Sequence, residues 1–223
     1  MRRILVLVAV AGFVMPTFAD VLWDQQPTGG NDFVDQEMPD YPTYSSYMVT
    51  DVVVDPGGWN ITQVTAYFTA SGMGWNSNMD ARLNILPRTG GLPGPGDDPT
   101  AGMLIEGDLG GTVTVTYGNV CTVEATGLDV DVVPGGDYWI GLTPVGDFAV
   151  HGQEFHLDAP LEGAASAWRN PGGAFPHGTA WINLPAPGYT YGDPSITIEG
   201  TIIPEPATLS LLALGAIGLL RRR

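Results

Sequence analysis

Apolar and polar residues alternate in short segments through the middle of the chain. Thr112–Thr116 alternates threonine with valine, and residues 195–199 place isoleucine at every second position. Alternation of period two is typical of β-strands that have one buried and one solvated face. The pattern predicts strands over residues 47–54, 61–70, 81–86, 112–117, 120–125, 138–143, 179–184 and 195–201.

Glycine and proline separate these segments. The tripeptide Pro-Gly-Gly begins at Pro56, Pro134 and Pro171, and in such turns proline presets the first torsion while glycine accepts positive φ. Between the two chain ends, the sequence lacks convincing helical periodicity. The fold predicted for residues 20–203 is therefore all-β, an antiparallel two-sheet sandwich that is jelly-roll-like.

The first nineteen residues predict an export signal. Arg2 and Arg3 form a basic start, residues 4–15 are apolar, and the segment ends in a small-x-small pattern at Ala19. This order is that of a secretory signal peptide. Cleavage between Ala19 and Asp20 would remove residues 1–19 as the signal peptide.

The last twenty residues, 204–223, have three parts. Pro204, Glu205 and Pro206 come first, residues 207–220 carry no charge, and Arg221, Arg222 and Arg223 end the chain. As a helix, the uncharged stretch spans about 21 Å at 1.5 Å per residue, against roughly 30 Å of hydrocarbon. The sequence predicts a short hydrophobic transmembrane helix that anchors transiently, with the arginines on the cytoplasmic side.

This three-part tail resembles the PEP-CTERM sorting signal of certain bacteria. The resemblance implies that an exosortase, an integral membrane protease, recognises the tail, and that the protein goes to the cell envelope or extracellular matrix after Sec export and transient anchoring in the inner membrane. An ordinary single-pass anchor is the alternative. Residues 51–62 and 138–142 look like strands of secreted β-sandwich domains that are common in PEP-CTERM proteins.

The domain between the two signals is strongly acidic. It keeps three cationic residues, Arg82, Arg88 and Arg169, and 23 of the 24 acidic residues, so its net charge is 3 − 23 = −20. A polyanion of this size repels nucleic acid and anionic lipid surfaces. Nucleic acid is therefore excluded as a partner, and the charge favours solubility.

Candidate chemistry in the domain is sparse. The one cysteine, Cys121, shares a strand face with Val123 and Ala125 and is predicted to be a buried small residue. His151, His156 and His177 do not have the spacing of a zinc protease and are interpreted as scattered polar residues. With no nucleophile motif, we expect no enzyme, no catalytic residue and no cofactor.

Calcium is the weaker alternative for the acidic residues. Asp97 and Asp98 lie in the Gly- and Pro-rich stretch 87–100, which is predicted to be a mobile loop, and Asp129 and Asp131 share one strand face. Carboxylate oxygens are the ligands that calcium prefers. Solvated charges on an edge strand explain the same residues.

Six tryptophans raise the possibility of sugar binding, because an exposed indole face stacks on a sugar ring. Trp75 and Trp168 lie in polar, loop-like settings and are the candidate platforms, whereas Trp139 and Trp181 are expected to fill the core. The loops over 87–100 and 170–178 are candidates to line one end of the sandwich.

The function predicted is that of an exported, exosortase-sorted surface or matrix protein with a structural or adhesive role, through contact with extracellular polysaccharide. Two alternatives stay open at this point. One is a carbohydrate-binding module with a defined sugar site. The other is a secreted glycoside hydrolase, because paired carboxylates hydrolyse glycosides.

Overall fold

The computed structural model describes residues 19–29, 31–71, 78–160, 166–184 and 191–204. These contain a one-turn helix, α1 (Phe148–His151), and two 3-10 turns, Pro42–Tyr44 and Pro99–Ala101. The strands are β1 (Asp20–Gln25), β2 (Asp32–Val34), β3 (Tyr47–Val53), β4 (Trp59–Ser71), β5 (Asp80–Pro87), β6 (Met103–Leu104), β7 (Thr112–Thr116), β8 (Cys121–Val132), β9 (Asp137–Val145), β10 (Gln153–Ala159), β11 (Ser166–Arg169), β12 (Ile182–Leu184), β13 (Asp193–Pro194) and β14 (Ile196–Ile202).

Two antiparallel sheets face each other. The first sheet has the order β7-β8-β4-β14-β1, and β10 continues it at the far end of β4, with β2 and β13 beside β10. The second sheet has the order β12-β11-β3-β9-β5-β6. The chain repeatedly crosses between the sheets, from β3 to β4, back to β5, and again from β8 to β9 and β10. This confirms the predicted all-β sandwich, with the crossings of a jelly-roll-like fold.

The core lies between the facing sheets and follows the predicted alternation. Val64, Ala66 and Phe68 of β4 are fully buried, and so are Val123 and Ala125 of β8, with Cys121 beside them nearly so. A bulge between Ile61 and Gln63 shifts the register of β4. Because a bulge adds one residue to a strand, it lets Ile61 and Val64 both face the core.

The strands that the sequence did not predict lack a clean apolar alternation. They include β1, β2, β10 and β11. β10 buries Glu154 and His156 on its inner face, so its pattern of apolar residues carries no period of two. The predicted strand 120–125 is longer in the structure and continues to Val132, whereas 179–184 is shorter and begins at Ile182.

The stretch 87–100 is anchored in the structure. The carbonyl oxygen of Asp97 accepts hydrogen bonds from Arg169 Nη1 (2.7 Å) and Trp181 Nε1 (2.9 Å). Leu92 packs against the cluster that contains Trp139 and Trp181. This stretch, which the sequence predicts to be a mobile loop, is therefore held by side chains that are distant in sequence.

Each Pro-Gly-Gly forms the predicted turn, with one glycine at positive φ: Gly58, Gly135 and Gly173. The first two turns meet, because the backbone N–H groups of Gly58 and Gly135 both donate to the carbonyl oxygen of Asp55. These turns end the two sheets on the side where β14 also ends.

No helix in the described ranges is both long and apolar enough to cross a membrane. The predicted signal peptide, apart from Ala19, and the predicted hydrophobic helix at the C-terminal end lie outside the described residues.

Gly58 and Gly135 provide a matched pair for testing the turns. Gly135→Ala should lower the free energy of unfolding by about 1 kcal/mol, because an alanine at positive φ is strained. The loss stays small because its Cβ would meet open space. Gly58→Ala should cost about 3 kcal/mol, because its Cβ would also lie 2.6 Å from the carbonyl oxygen of Val132. Urea unfolding measures both values, and equal losses would contradict the packing described for this end.

Candidate functional site

The predicted processing sites meet at one end of the first sheet. Asp20 is the first residue of β1 and pairs with Gly200 of β14. Ile203 follows β14 and its N–H donates to the carbonyl oxygen of Gly58 (2.9 Å), and exposed Pro204 comes next. Ala19 is exposed beside Asp20. The other sorting residues lie outside the described residues: Glu205, Pro206, Arg221, Arg222 and Arg223.

A cleft lined by aromatic residues occupies the opposite end, before β3 begins and after β9 ends. Its larger cavity, of about 440 Å³, is lined by Met38, Tyr41, Tyr44, Phe148, Gln153 and Phe175. A second cavity, of about 260 Å³, shares Phe175 with the first and is lined also by Asp32, Phe33, Val34, Phe155, Trp168, Pro176 and His177. We call the two cavities together the aromatic cleft.

The rings of the aromatic cleft contact one another edge to face. Tyr41 packs on Phe148 with 5.8 Å between ring centroids, and Tyr44 packs on Phe175 at 5.9 Å. The ring of Trp168 contacts that of Phe175 edge to face, with 5.7 Å between the centroids. Tyr41, Tyr44 and Phe148 are nevertheless 39% to 50% exposed. Aromatic surface that is ordered by its neighbours and still open to solvent is typical of a binding site.

Polar side chains fix the loops that carry these rings. The carboxylate of Asp40 accepts hydrogen bonds from the N–H groups of Phe148 (2.8 Å) and Ala149 (3.0 Å). The buried amide of Asn170 donates to the carbonyl oxygens of Thr43 and Ser45 and accepts from the N–H of Phe175. The cleft is therefore preorganised, which lowers the entropy that a ligand must overcome on binding.

A buried polar layer lies beneath the cleft. Along β10, Gln153 and Phe155 line the cleft, while Glu154 and His156 are buried on the other face. His156 Nδ1 lies 2.7 Å from Asp35 Oδ2, and Nε2 lies 2.9 Å from the carbonyl oxygen of Ser195. A carbonyl oxygen only accepts, so Nε2 donates to Ser195, and Nδ1 forms the second hydrogen bond of the ring with Asp35.

Burial raises the pKa of both carboxyl groups in this layer. For Asp35, desolvation is the larger effect, and hydrogen bonds from His156 and Thr143 oppose it. For Glu154, whose carboxyl oxygens have no hydrogen-bond partner among the described residues, burial alone raises the pKa to about 8. Glu154 is therefore a neutral carboxylic acid at pH 7.

All three arginines of the domain bind other groups of the protein. Arg82 pairs with Glu37, and Arg88 pairs with Asp51 at 2.7 Å and lies over Trp139. Arg169 donates to the carbonyl oxygens of Asp97 and Thr179. Neither cavity of the aromatic cleft is lined by an arginine, so the surface that a ligand meets carries little positive charge.

The two predicted tryptophan platforms have different outcomes. Trp75 lies outside the described residues. Trp168 is 1% exposed, lies in β11 between β3 and β12, and donates from Nε1 to the carbonyl oxygen of Val34. The prediction that Trp168 lies in an exposed loop is wrong, because strand pairing on both sides turns its ring into the interior. Trp139 and Trp181 are buried as expected.

Of the histidines interpreted as scattered polar residues, His156 is fully buried between the sheets, which the sequence did not predict. His151 ends α1 and is also buried, and burial lowers its pKa. Of the three, His177 lines the smaller cavity of the aromatic cleft.

The four carboxylates considered for calcium each have donors from the protein. Asp97 accepts from the N–H of Gly94 and Asp98 from that of Thr100. Asn60 Nδ2 donates to both Asp129 (2.7 Å) and Asp131 (2.9 Å). The residues that the structure describes contain no group of three or more His, Cys, Asp or Glu that could hold a metal ion. Calcium binding stays a prediction.

The residues that line the larger cavity were missed by sequence reasoning. Tyr41, Tyr44, Phe148 and Phe175 come from three separate segments and carry no motif. One signal in the sequence could have indicated them. These aromatic residues fall between the predicted strands, beside residues that favour turns, where an aromatic side chain is least expected to belong to the core.

Glu154→Gln should change how stability depends on pH. In the folded protein Glu154 keeps its proton up to about pH 8, whereas in the unfolded chain it loses that proton near its ordinary pKa of 4.5. The folded state therefore binds the extra proton, and stability falls as pH rises from about 4.5 to 8. The variant should lose this slope, which amounts to about 5 kcal/mol in all, since each pKa unit corresponds to about 1.4 kcal/mol.

Urea unfolding from pH 4.5 to 9 measures this effect as the difference between wild type and variant. Glu124→Gln is the matched control, because Glu124 lies on the outer face of β8. A wild-type slope that survives in Glu154→Gln would contradict the buried, protonated state.

Comparison with protein families identifies the tail of the chain. Residues 203–223 match the PEP-CTERM protein-sorting motif, which covers the tail and leaves the sandwich outside the match. A search of curated proteins found no match. The chain thus carries a PEP-CTERM sorting motif, which supports an exported protein that an exosortase sorts and that associates with the cell envelope.

Proposed function

We propose that this protein is a non-catalytic surface or extracellular-matrix protein whose aromatic cleft binds extracellular polysaccharide. The observation that carries the proposal is the cleft itself: exposed aromatic rings in mutual contact, on loops that polar side chains hold in place. Export through the Sec machinery and sorting by an exosortase would bring this cleft to the compartment that contains such polymers.

Sugar chemistry fits the lining of the cleft. A pyranose ring presents C–H groups on its faces and hydroxyl groups around its edge, so it binds where aromatic surface lies beside polar side chains. Tyr44, Phe148 and Phe175 supply the aromatic surface, and Gln153 and Asp32 supply polar groups. The larger cavity has the size of small-ligand sites, which occupy about 300–1,000 Å³.

A carbohydrate-binding module with one defined sugar site is the second candidate. The rigid mounting of the loops favours it, because a preorganised cleft selects among ligands of different shape. Saturable binding of a short oligosaccharide with one-to-one stoichiometry would favour this candidate over general adhesion to a polymer.

Removal of cleft rings should weaken polysaccharide binding. Phe148→Ala and Phe175→Ala are each expected to lower affinity about tenfold or more, because a stacked aromatic side chain contributes about 1.4 kcal/mol or more to binding. Tyr117→Ala is the control, because Tyr117 is also an exposed aromatic residue but follows β7 and does not line the cleft. Glycan arrays and affinity electrophoresis with the full chain in detergent measure the effect.

Three outcomes would count against this function. Equal losses of affinity in the cleft variants and in Tyr117→Ala would show that binding does not depend on the cleft. Hydrolysis of a polysaccharide panel, abolished by one carboxylate substitution, would contradict a non-catalytic role. Loss of binding on adding a chelator would contradict binding without a metal ion and would support the calcium hypothesis.

Processing at both ends can be tested by the intact mass of the protein recovered from its native host. We expect a mass that corresponds to a chain from Asp20 to the region of Pro204. Retention of Arg221, Arg222 and Arg223 in the mature, membrane-bound protein would instead favour a permanent single-pass anchor.

A further inference from the structure

Exposed aliphatic side chains gather at the end of the sandwich where the sorting motif begins. Val53, Val133 and Ile202 are 50% to 67% exposed, and we call them the aliphatic pole. The adjoining backbone is tightly connected there: Trp59 pairs with both Val132 and Ile202, and the N–H of Val54 donates to the carbonyl oxygen of Gly136. The three side chains therefore surround the point where β14 ends.

The chain leaves this pole with almost no linker. Ile203 is still hydrogen-bonded to Gly58, and the uncharged stretch begins at Ala207. Four residue steps span at most about 14 Å. Two of the three intervening residues are prolines, which restrict the backbone further. A domain whose tail enters a bilayer at Ala207 is therefore held with this end within about 14 Å of the point of entry.

We infer that the aliphatic pole rests on the bilayer surface while residues 207–220 hold the chain in the membrane, and that the aromatic cleft then faces away from the membrane. The inference rests on the proposed transient anchoring. β4 runs from Trp59 at the pole to Ser71, which pairs with Gln153 beside the cleft. Thirteen strand residues at 3.2–3.4 Å each place the two ends about 40 Å apart.

Lipid is the partner of the aliphatic pole for two reasons: the linker to residues 207–220 is short, and the exposed side chains of the pole are aliphatic. A bilayer is the one partner that a linker of three residues necessarily brings to this end. Asp55, Asp131 and Asp137 lie around the pole and the domain carries a charge of −20, so electrostatic attraction to anionic lipids is absent. Contact therefore depends on the tether and on the exposed aliphatic side chains.

This orientation has a consequence for the proposed polysaccharide binding. A chain that still has its tail presents the aromatic cleft about 40 Å from the membrane, so it can bind a matrix polymer before any cleavage releases it. Anchored and released forms should then bind the polysaccharide with similar affinity.

Depth-dependent fluorescence quenching tests the orientation. The full chain with Cys121→Ala is reconstituted in phosphatidylcholine vesicles that contain a spin-labelled lipid, with a fluorophore on Val133→Cys or on Val150→Cys. Val150 is a matched control, since it is an exposed valine of α1 at the cleft end. We expect at least threefold stronger quenching at position 133.

Equal quenching at the two positions, or stronger quenching at position 150, would overturn the inference. Shielding of position 133 that grows with protein concentration, without quenching by lipid, would overturn it in favour of contact between two copies. Polysaccharide binding by the same vesicles separates the two proposals. Absence of binding both in detergent and in vesicles, with the expected quenching, would refute the proposed function and leave the orientation standing.

Discussion

The buried carboxylate of Asp35 links the two sheets, and the floor of the aromatic cleft depends on it. Its donors come from both layers: the N–H of Met48 and the hydroxyl of Thr143 from the second sheet, and the imidazole of His156 from the first. A charged or proton-sharing group in the interior is costly unless every partner is in place. This requirement fixes β10 relative to β3 and β9, and β10 carries Gln153 and Phe155 on its outer face.

The arginines form ion pairs and hydrogen bonds inside a domain whose net charge is −20. These contacts help the domain to fold and leave little positive charge for a ligand. Arg82 neutralises the partly buried Glu37, and Arg88 neutralises the buried Asp51. Arg169 anchors the stretch 87–100. The remaining carboxylates lie mostly at the surface, where water screens them. A surface of this kind offers anionic polymers no attractive charge, so the proposed polysaccharide binding would depend on the aromatic cleft and on neutral polar contacts.

The success of sequence reasoning differed between strands for a physical reason. β4, β7 and β8 have apolar inner faces, so their alternation predicts them directly. β10 has a polar inner face because Glu154 and His156 belong to the buried layer, and β11 has tryptophan next to arginine because Trp168 faces the interior while Arg169 reaches a loop. Period two reveals a strand when burial and hydrophobicity coincide, and it fails where polar groups are buried in hydrogen-bonded networks.

The sequence by itself determined the properties that contiguous residues encode: the export signal predicted at one end, the sorting motif at the other, the Pro-Gly-Gly turns, most central strands and the net charge. Only the tertiary structure decided which aromatic rings are buried and which are exposed. Trp168 is buried because two strands that are distant in sequence pair with it, and Tyr44 meets Phe175 across 130 residues of chain. Local conformational preference is set by neighbours along the chain, whereas burial is set by contacts that exist after the sheets have packed.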